Sequence, residues 1–271
     1  MECVIASETW QSHTMNYHCT PLFTMEIGAN IFRVKSCPST NDLAKERALS
    51  GEEEGTVVIS DEQTKGRGMK GRKWYSARKK GIYLSVILRP PHSNISLLPL
   101  VAGLAVADAV FDSVGLRIKL RWPNDLIWGK KKLGGILCEG GFSGDRINYA
   151  ILGIGLNMNH GRYDFPEEIR HQATSLKLIS KADMDENIML KNLWPALNHW
   201  YGRFLQNEKD RIISHFQANS ILPVGKEITL ITESGEVSGI YRGIDSQGSL
   251  ILESRGKRKP FFSAEIKIKK E

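Results

Sequence analysis

Residues 116–154 constrain the fold of this chain more than any other segment. Four short apolar runs follow one another there, at 116–120, 125–128, 132–139 and 147–154. The turns between them carry Pro, Asn, Asp and paired Gly, the residues that most often end a strand. Strands joined by such short turns lie side by side and antiparallel. The segment therefore predicts a largely antiparallel sheet.

Helices and further strands are expected on both sides of this segment. Apolar residues recur at helical spacing from Leu97 to Val114, and Gly115 follows as a C-terminal stop. A second such region runs from Asn187 to Phe216, where Pro195 predicts a kinked helix or a helical hairpin. More strands are predicted at 31–34, 56–60 and 82–88. The fold class is α+β, with a mixed, mostly antiparallel sheet and helices.

The two ends of the chain differ from this body. Beyond Pro223 the pattern changes to short strands alone, at 226–232, 237–244, 249–252 and 258–262. Four or five short strands so close together predict a small β-barrel. Residues 1–24 are polar and aperiodic, which favours a disordered extension or a true start at Met25. We therefore expect an extension over 1–27, a main domain over 28–217 and a small β domain over 222–271.

Composition limits the kinds of partner. The chain has 271 residues and a net charge of +7, which favours a nucleotide, a nucleic acid or an acidic protein. Its four cysteines form no Cys-x-x-Cys pair, so neither a zinc site nor a disulfide framework is indicated. No signal peptide is expected, and the most apolar stretch is too short to span a membrane. A cytoplasmic protein without a membrane partner is the expectation.

A basic, glycine-bearing loop runs from Asp61 to Lys80 and holds eight cations. Glycines at 66, 68 and 71 allow the backbone to approach a ligand and to present its N–H groups. The loop is neither a Walker A loop nor a dinucleotide-binding fingerprint. It fits a phosphate or acyl-phosphate site best. A nucleic-acid contact and a merely solvated loop remain open at this point.

Three groups of polar or small residues each allow two interpretations. Ser39-Thr40-Asn41 is interpreted first as a helix N-cap, and second as a set of hydrogen-bonding groups for a buried ligand. Asn124 and Asp125 fit an ordinary turn, or a site that orients a ligand or Mg²⁺. Lys132 is the lysine best placed for strand geometry to direct it into a cleft. The last group either lines a flat ligand or ends a strand, and it consists of Gly153, Gly155 and Asn157.

Several of these pieces occur together in one known family, in the same order. They are Ser39-Thr40-Asn41, Gln63-Thr64-x-Gly66-Arg67-Gly68, Gly71-Arg72-Lys73-Trp74, Trp122-Pro123-Asn124-Asp125-Leu126, Lys132-Leu133-x-Gly135-Ile136-Leu137 and Gly153-Ile154-Gly155-Leu156-Asn157. The chain resembles the biotin protein ligases from about Ile31 to Lys269. That resemblance implies a catalytic core like that of class II synthetases, followed by a small SH3-like C-terminal β-barrel.

The resemblance also implies a reaction and the residues that serve it. Biotin would be activated with Mg·ATP as biotinyl-5′-AMP and then passed to a lysine of a biotin carboxyl carrier protein. Lys132 and Arg67 are the implied catalytic residues. The implied substrate contacts are Ser39, Thr40, Asn41, Gln63, Arg67, Gly68, Met69, Lys132 and Gly135. The implied nucleotide contacts are Arg72, Trp74, Asn124, Asp125, Gly155, Asn157 and Lys269. The loop from Asn157 to Ala173 is expected to fold over the adenylate.

Two features depart from the family's pattern. Met69 stands where many bacterial relatives have a second arginine, which predicts weaker retention of the adenylate unless Lys70 substitutes. The 24–30 residues before the main domain are too few for the DNA-binding domain of some relatives, so an enzyme-only type without specific DNA binding is expected. An acetyl-CoA carboxylase subunit is the expected carrier, and a homodimer is possible.

Two other functions compete with this one. Lipoate ligases and octanoyl transferases share the fold group, but their Arg-Arg-x-Ser-Gly-Gly-Gly stretch is missing here. A nucleic-acid-binding regulator would use the basic loop and the basic C-terminus, and its binding would depend steeply on salt.

Overall fold

A computed structural model describes residues 26–91 and 94–268 of the chain. Residues 1–25 of the expected extension, including a start at Met25, lie outside the described residues, as does the predicted nucleotide contact at Lys269. The expected end of the extension at residue 27 was wrong, because Ile27 is buried in the core and its N–H donates to the Asn198 side-chain oxygen at 2.8 Å.

A seven-stranded sheet forms the centre of the main domain. Its strands are β1 Ile31–Val34, β2 Val57–Ser60, β3 Gly81–Leu88, β4 Lys119–Arg121, β5 Asp125–Trp128, β6 Lys131–Ser143 and β7 Arg146–Asn157. They lie in the order β1-β2-β3-β7-β6-β5-β4. Only the β1–β2 pair is parallel. The predicted mixed, mostly antiparallel sheet is confirmed.

Helices cover both faces of this sheet. They are α1 Thr40–Leu49, α2 Leu98–Val114, α3 Leu176–Ser180, α4 Glu186–Leu205 and α5 Lys209–Asn219, with short 3₁₀ turns at Met69–Gly71 and Arg162–Asp164. Alternate residues of β2 face opposite ways, so that Val58 packs with α1 while Val57 and Ile59 join the larger core of α2 and α4. Gly115 ends α2 at φ +69°, as predicted.

The helical hairpin, one of the two alternatives predicted for this region, is present, but Pro195 does not mark its turn. Helix α4 continues through this proline, and the turn of the helical hairpin comes later, between α4 and α5. Proline cannot donate to the carbonyl one turn earlier, which belongs to Lys191. Both residues are exposed, so water can hydrogen-bond that carbonyl and the helix need not break.

The C-terminal domain is a five-stranded antiparallel sheet. Its strands are β8 Glu227–Thr232, β9 Gly235–Ile244, β10 Leu250–Ser254, β11 Lys257–Phe261 and β12 Glu265–Ile268, in the order β11-β10-β9-β8-β12. Trp122 of the main domain donates its indole N–H to the Gly248 carbonyl at 2.9 Å, which ties the two sheets together. Within the described parts of the chain, no helix is long and apolar enough to cross a membrane.

Candidate active site

A cavity of about 540 Å³ lies where the basic loop, the ends of β6 and β7 and the C-terminal sheet meet. Apart from Lys269, every residue predicted for the site lines it: Ser39, Thr40, Asn41, Gln63, Arg67, Gly68, Met69, Arg72, Trp74, Asn124, Asp125, Lys132, Gly135, Gly155 and Asn157. The fold thus gathers residues that are spread over more than a hundred positions of the sequence.

Two cations and one carboxylate form a cluster at one wall of this cavity. Asp125 lies between Lys132, 2.5 Å from its Oδ1, and Arg121, 2.5 Å from its Oδ2. Burial by itself would raise the pKa of Asp125, but the charges of Lys132 and Arg121 outweigh burial and hold it below its usual value. The cluster therefore carries a net charge of about +1 next to the cavity.

The backbone of Lys132 is held by the segment 158–173, which we call the strap. The Lys132 N–H donates to the Gln172 carbonyl at 2.7 Å, and the Thr174 N–H donates to the Lys132 carbonyl at 2.9 Å. Asn157, just before the strap, donates its side-chain N–H at 3.0 Å to the carbonyl of Thr174, just after it, so this bond joins the two ends of the strap. The strap borders the cavity with Phe165 among its lining residues, at the side where a covering loop was predicted.

His160 anchors the strap from within. Its side chain is fully buried, with its ring stacked on Phe165 at 4.7 Å between centroids. Its Nε2 lies 3.3 Å from the hydroxyl of Tyr83, which also lies 3.0 Å from the Ala77 carbonyl oxygen. Burial lowers the pKa of His160 to about 4. The imidazole is therefore neutral at pH 7, and it positions Phe165 as an aromatic wall.

The helix start predicted at Ser39-Thr40-Asn41 is correct in position, with Ser39 directly before α1, but the capping hydrogen bond of its side chain is absent among the described residues. The side-chain oxygen of Gln63 instead accepts from the Thr40 backbone N–H at 2.8 Å and from the Thr40 hydroxyl at 3.1 Å. A distant residue therefore serves the helix start, and the second interpretation, a set of groups for a ligand, agrees with this placement.

Asn41 continues this network towards β3 and β6. Its side-chain oxygen accepts from the Ser85 hydroxyl at 2.6 Å, and its N–H donates to Glu139 at 2.6 Å. Gly153 is packed against it, because a Cβ there would come within 2.2 Å of the Asn41 oxygen. The need for glycine at this position is thus a close approach, as one of the two interpretations of that segment proposed.

Gly155 serves a second close approach, to the aromatic residue of the basic loop. A Cβ at Gly155 would lie 2.7 Å from atoms of the Trp74 indole. The ammonium of Lys132 stands 5.5 Å from the centre of the same ring, within the range of a cation–π contact. The indole N–H is buried and has no partner among the described residues. Trp74 therefore joins the basic loop to β7 and to Lys132.

Three cations of the basic loop that border the cavity are engaged by carboxylates. Arg67 contacts Asp42 at 2.6 Å and Glu139 at 3.1 Å. Arg72 contacts Glu265 of the C-terminal sheet at 2.7 Å, and Lys70 lies 3.5 Å from Glu233. These pairs hold the loop against α1, β6 and the C-terminal domain. The loop can still offer an anion the N–H groups of its backbone and the ammonium of Lys73, which lines the cavity.

Sequence reasoning missed four residues of this arrangement. Arg121 had a local signal, since it precedes Asp125 by four residues across the β4–β5 turn and pairs with it in register. The other three, Asp42, Ser85 and Glu139, come from α1, β3 and β6 and had no such signal.

The side-chain amide of Asn124 has a partner within the protein, since it donates to the Ile136 carbonyl at 2.6 Å. Among the described residues, no group of three or more His, Cys, Asp or Glu side chains could hold a metal ion.

Comparison with known proteins agrees with this geometry. Residues 33–157 match the Biotin/lipoate A/B protein ligase family, and residues 224–268 match the Biotin protein ligase C terminal domain. The bifunctional ligase/repressor BirA of Bacillus subtilis is 32% identical over 91% of this chain and 76% of that protein. The chain belongs to the biotin protein ligase family.

Two further relatives support this assignment. The biotin–[acetyl-CoA-carboxylase] ligase of Mycobacterium tuberculosis is 35% identical to this ligase, over 81% of each chain. The structure of the biotin protein ligase from Aquifex aeolicus in complex with biotin and ATP superimposes with a TM-score of 0.77 at 31% identity. The superposition covers 90% of this ligase and 100% of the Aquifex aeolicus chain.

Proposed function

We infer that this ligase activates biotin with ATP as biotinyl-5′-AMP and transfers the biotinyl group to a lysine of a carrier protein. The observation that carries this proposal is the shared cavity, since one connected space collects the predicted biotin-side and nucleotide-side residues. The Aquifex aeolicus relative with the same fold is in complex with biotin and ATP.

In the first step, a carboxylate oxygen of biotin attacks the α-phosphorus of ATP. A P–O bond forms, the bond to the β-phosphate breaks, and pyrophosphate leaves. The reacting groups are all anionic, so bringing them together requires positive charge. The Lys132–Asp125–Arg121 cluster supplies a net charge of about +1 at this wall of the cavity.

In the second step, the neutral amine of a carrier lysine attacks the carbonyl carbon of the mixed anhydride. An amide bond forms, the amine loses a proton, and AMP leaves as the leaving group. Negative charge builds on the carbonyl oxygen and on the departing phosphate. Lys132 is placed to stabilise both, because its ammonium lies at the cavity wall beside Trp74.

The polar network at the start of α1 is proposed to hold the ureido head of biotin. That head has two N–H donors and one carbonyl acceptor, and it needs hydrogen-bonding partners once it is buried. Ser39, Thr40, Asn41 and Gln63 offer hydroxyl and amide groups around one end of the cavity. We assign the nucleotide to the other end, where Asp125, Gly155 and the strap lie.

The proposed carrier is the biotin-accepting subunit of an acetyl-CoA carboxylase. Relatives in Mycobacterium tuberculosis and Paracoccus denitrificans are named as biotin–[acetyl-CoA-carboxylase] ligases.

Mg²⁺ is proposed to arrive with ATP, held chiefly by the phosphates, as Mg²⁺ usually is in nucleotide sites. We propose catalytic boundaries at 28–217 and a C-terminal domain at 222–271.

The test is biotin-dependent pyrophosphate release with Mg·ATP, compared with lipoate and with octanoate. We expect release with biotin only. Lys132→Ala should reduce the rate by about a hundredfold or more, as expected when a donor aimed at developing charge is removed. Lys131→Ala is the matched control, because that neighbouring lysine is exposed and lies outside the residues that line the cavity.

Each other outcome has a definite meaning. Release with lipoate or octanoate in place of biotin would keep the chemistry and overturn the proposed substrate. Release with none of the three acids would overturn the proposed function. Equal loss in the Lys131 and Lys132 variants would contradict the role of Lys132.

A further inference from the structure

One carboxylate, Glu139 on β6, touches both ends of the proposed biotin site. It accepts a hydrogen bond from the Asn41 side chain at 2.6 Å, and its two oxygens lie 3.2 Å and 3.1 Å from the guanidinium of Arg67. Asn41 belongs to the group proposed to hold the biotin head. Arg67 belongs to the basic loop at the acyl-phosphate end. Glu139 does not itself line the cavity.

The contact to Asn41 fixes the orientation of that amide. The N–H end points at Glu139, and the oxygen end accepts from the Ser85 hydroxyl. Ser85 is fully buried, and its hydroxyl lies 2.8 Å from the Thr40 hydroxyl as well, so it could accept from a reversed amide and donate to Thr40. The contact with Glu139 is therefore what decides the orientation, because a reversed amide would set its oxygen against a carboxylate that has no hydrogen to donate. Gly153 approaches the same side chain closely.

The contact to Arg67 has a different effect. Its guanidinium is shared by two carboxylates, Glu139 and Asp42, neither of which lines the cavity. The side chain of Arg67 is thus drawn towards the protein, while Gly68 and Met69 after it border the cavity. Holding the side chain fixes where the loop backbone presents its N–H groups.

We propose that Glu139 is a positioning residue for biotin activation that orients Asn41 at the biotin head and anchors the Arg67 loop at the acyl phosphate. The inference rests on the proposed function, because it assigns biotin and its adenylate to this cavity. Since Glu139 is about 40% exposed, replacing it leaves no large void in the core.

Four variants separate the two contacts. Glu139→Leu removes both, while Glu139→Gln keeps an oxygen for Asn41 but loses the charge that holds Arg67. Ser85→Ala disturbs only the side of the biotin head, where its hydroxyl contacts Asn41 and Thr40, and Asp42→Asn disturbs only the Arg67 side. Two quantities are measured for each: the Kd of biotin alone by calorimetry, and the dissociation rate of biotinyl-AMP from the preformed complex.

The expected pattern is specific. Glu139→Leu should weaken biotin binding and speed adenylate release, each by about tenfold, the effect of losing one hydrogen bond to a charged group. Glu139→Gln and Asp42→Asn should speed adenylate release and leave the biotin Kd within about twofold of the wild type. Ser85→Ala should weaken biotin binding and, because biotinyl-AMP keeps the same ureido head, speed adenylate release by a similar factor.

The outcomes that overturn the proposal differ from those that overturn the function. If wild-type protein fails to bind biotin, the proposed function fails first. If wild-type protein binds biotin and Glu139→Leu binds it equally well, the positioning role is wrong. That role is also wrong if Glu139→Leu and Asp42→Asn behave alike in both measurements, since Glu139 would then be only a second partner of Arg67. A lower melting temperature with neither quantity changed would likewise show a purely structural carboxylate.

Discussion

Two charge clusters border the cavity, and their compositions are inverted. In the first, one carboxylate, Asp125, lies between the two cations Lys132 and Arg121. In the second, one cation, Arg67, lies between the two carboxylates Asp42 and Glu139. The first has a net charge of about +1 and the second about −1.

This difference separates two roles that the sequence suggested for cations as a group. The first cluster has positive charge to spare, so it can attract phosphate and carboxylate oxygens. In the second, the guanidinium is fully balanced by its neighbours, and it acts by fixing the basic loop. Arg67 and Lys132 were both predicted as catalytic residues, but the geometry favours Lys132 for direct contact with the reacting oxygens.

Removing the charge of Asp125 tests the first cluster and should have the largest effect. In Asp125→Asn the two cations lose the carboxylate that holds them, so Lys132 is no longer fixed at the cavity wall. We expect kcat/KM for biotin to fall by about a hundredfold, the upper range for loss of a residue that orients a catalytic group. Steady-state pyrophosphate release measures it.

The control for this variant is Asp183→Asn, which breaks the exposed Lys177–Asp183 pair at 2.7 Å. Surface pairs of this kind contribute little, so its kinetics should match those of the wild type. Equal kinetics in the Asp125 variant would show that Lys132 needs no partner for its position.

The two clusters also differ in how far the sequence predicts them. Asp125, Lys132 and the β5–β6 strands come from one short segment, where turn residues and apolar runs indicate neighbouring strands. Glu139 lies 72 positions from Arg67, its ion-pair partner. Their contact depends on which strands adjoin and on how the basic loop closes. No local pattern carries that information, so the sequence predicted Arg67 but not its partners.

Two departures from the predictions have the same origin. The helix starts after Ser39, as local propensity predicted, but it is Gln63, a residue from another segment, that takes the N–H of Thr40. A kink or hairpin turn at Pro195 followed from the local cost of proline, which solvent exposure of that helix face reduces. In both cases a tertiary or solvent partner satisfies a backbone group that local rules leave unpaired.

A methyl group at Gly153 tests whether the second cluster reaches the biotin head. The added Cβ would lie 2.2 Å from the oxygen of Asn41, and the bonds to Ser85 and Glu139 prevent an easy retreat. We expect Gly153→Ala to raise the Kd of biotin by about thirtyfold, the equivalent of about two lost hydrogen bonds.

Gly202→Ala is the matched control for that substitution. Gly202 lies in α4 and has nothing within 4 Å of an added Cβ. Alanine should therefore leave biotin binding unchanged and stabilise the helix by about 0.5–1 kcal/mol. An unchanged biotin Kd in Gly153→Ala would contradict the placement of Asn41 at the head.

Acid should act on the strap before it acts on the first cluster. The pKa of His160 is about 4 in the folded protein, because of burial, against about 6.5 when unfolded. As pH falls below 6.5 the unfolded chain takes up a proton that the folded chain refuses, so stability is lost towards pH 4. The expected loss between pH 7 and pH 5 is about 2 kcal/mol. Asp125 stays ionised there, since its folded pKa lies below 3.8.

Urea unfolding of wild type and His160→Phe at the two pH values isolates this contribution. Phenylalanine keeps a ring against Phe165 but cannot titrate. The acid loss of stability should therefore be smaller by about 2 kcal/mol in the variant, whatever its stability at pH 7. Other groups titrate in both proteins, including His199, whose pKa is also lowered by burial. Identical losses would show that His160 is not the group responsible.

Adding a cation without a carboxylate partner to the basic loop should make the net charge on that side of the cavity more positive, and so closer to that of the first cluster. Met69 borders the cavity, while the neighbouring cations Arg67 and Lys70 are engaged by carboxylates. Met69→Arg would supply a guanidinium without a carboxylate partner of its own, and we expect biotinyl-AMP to dissociate about fivefold more slowly, the effect of one added charge pair of modest strength. Met69→Gln, of similar length but neutral, should dissociate at the wild-type rate. An unchanged rate in the arginine variant would contradict the idea that a cation at position 69 slows escape of the adenylate.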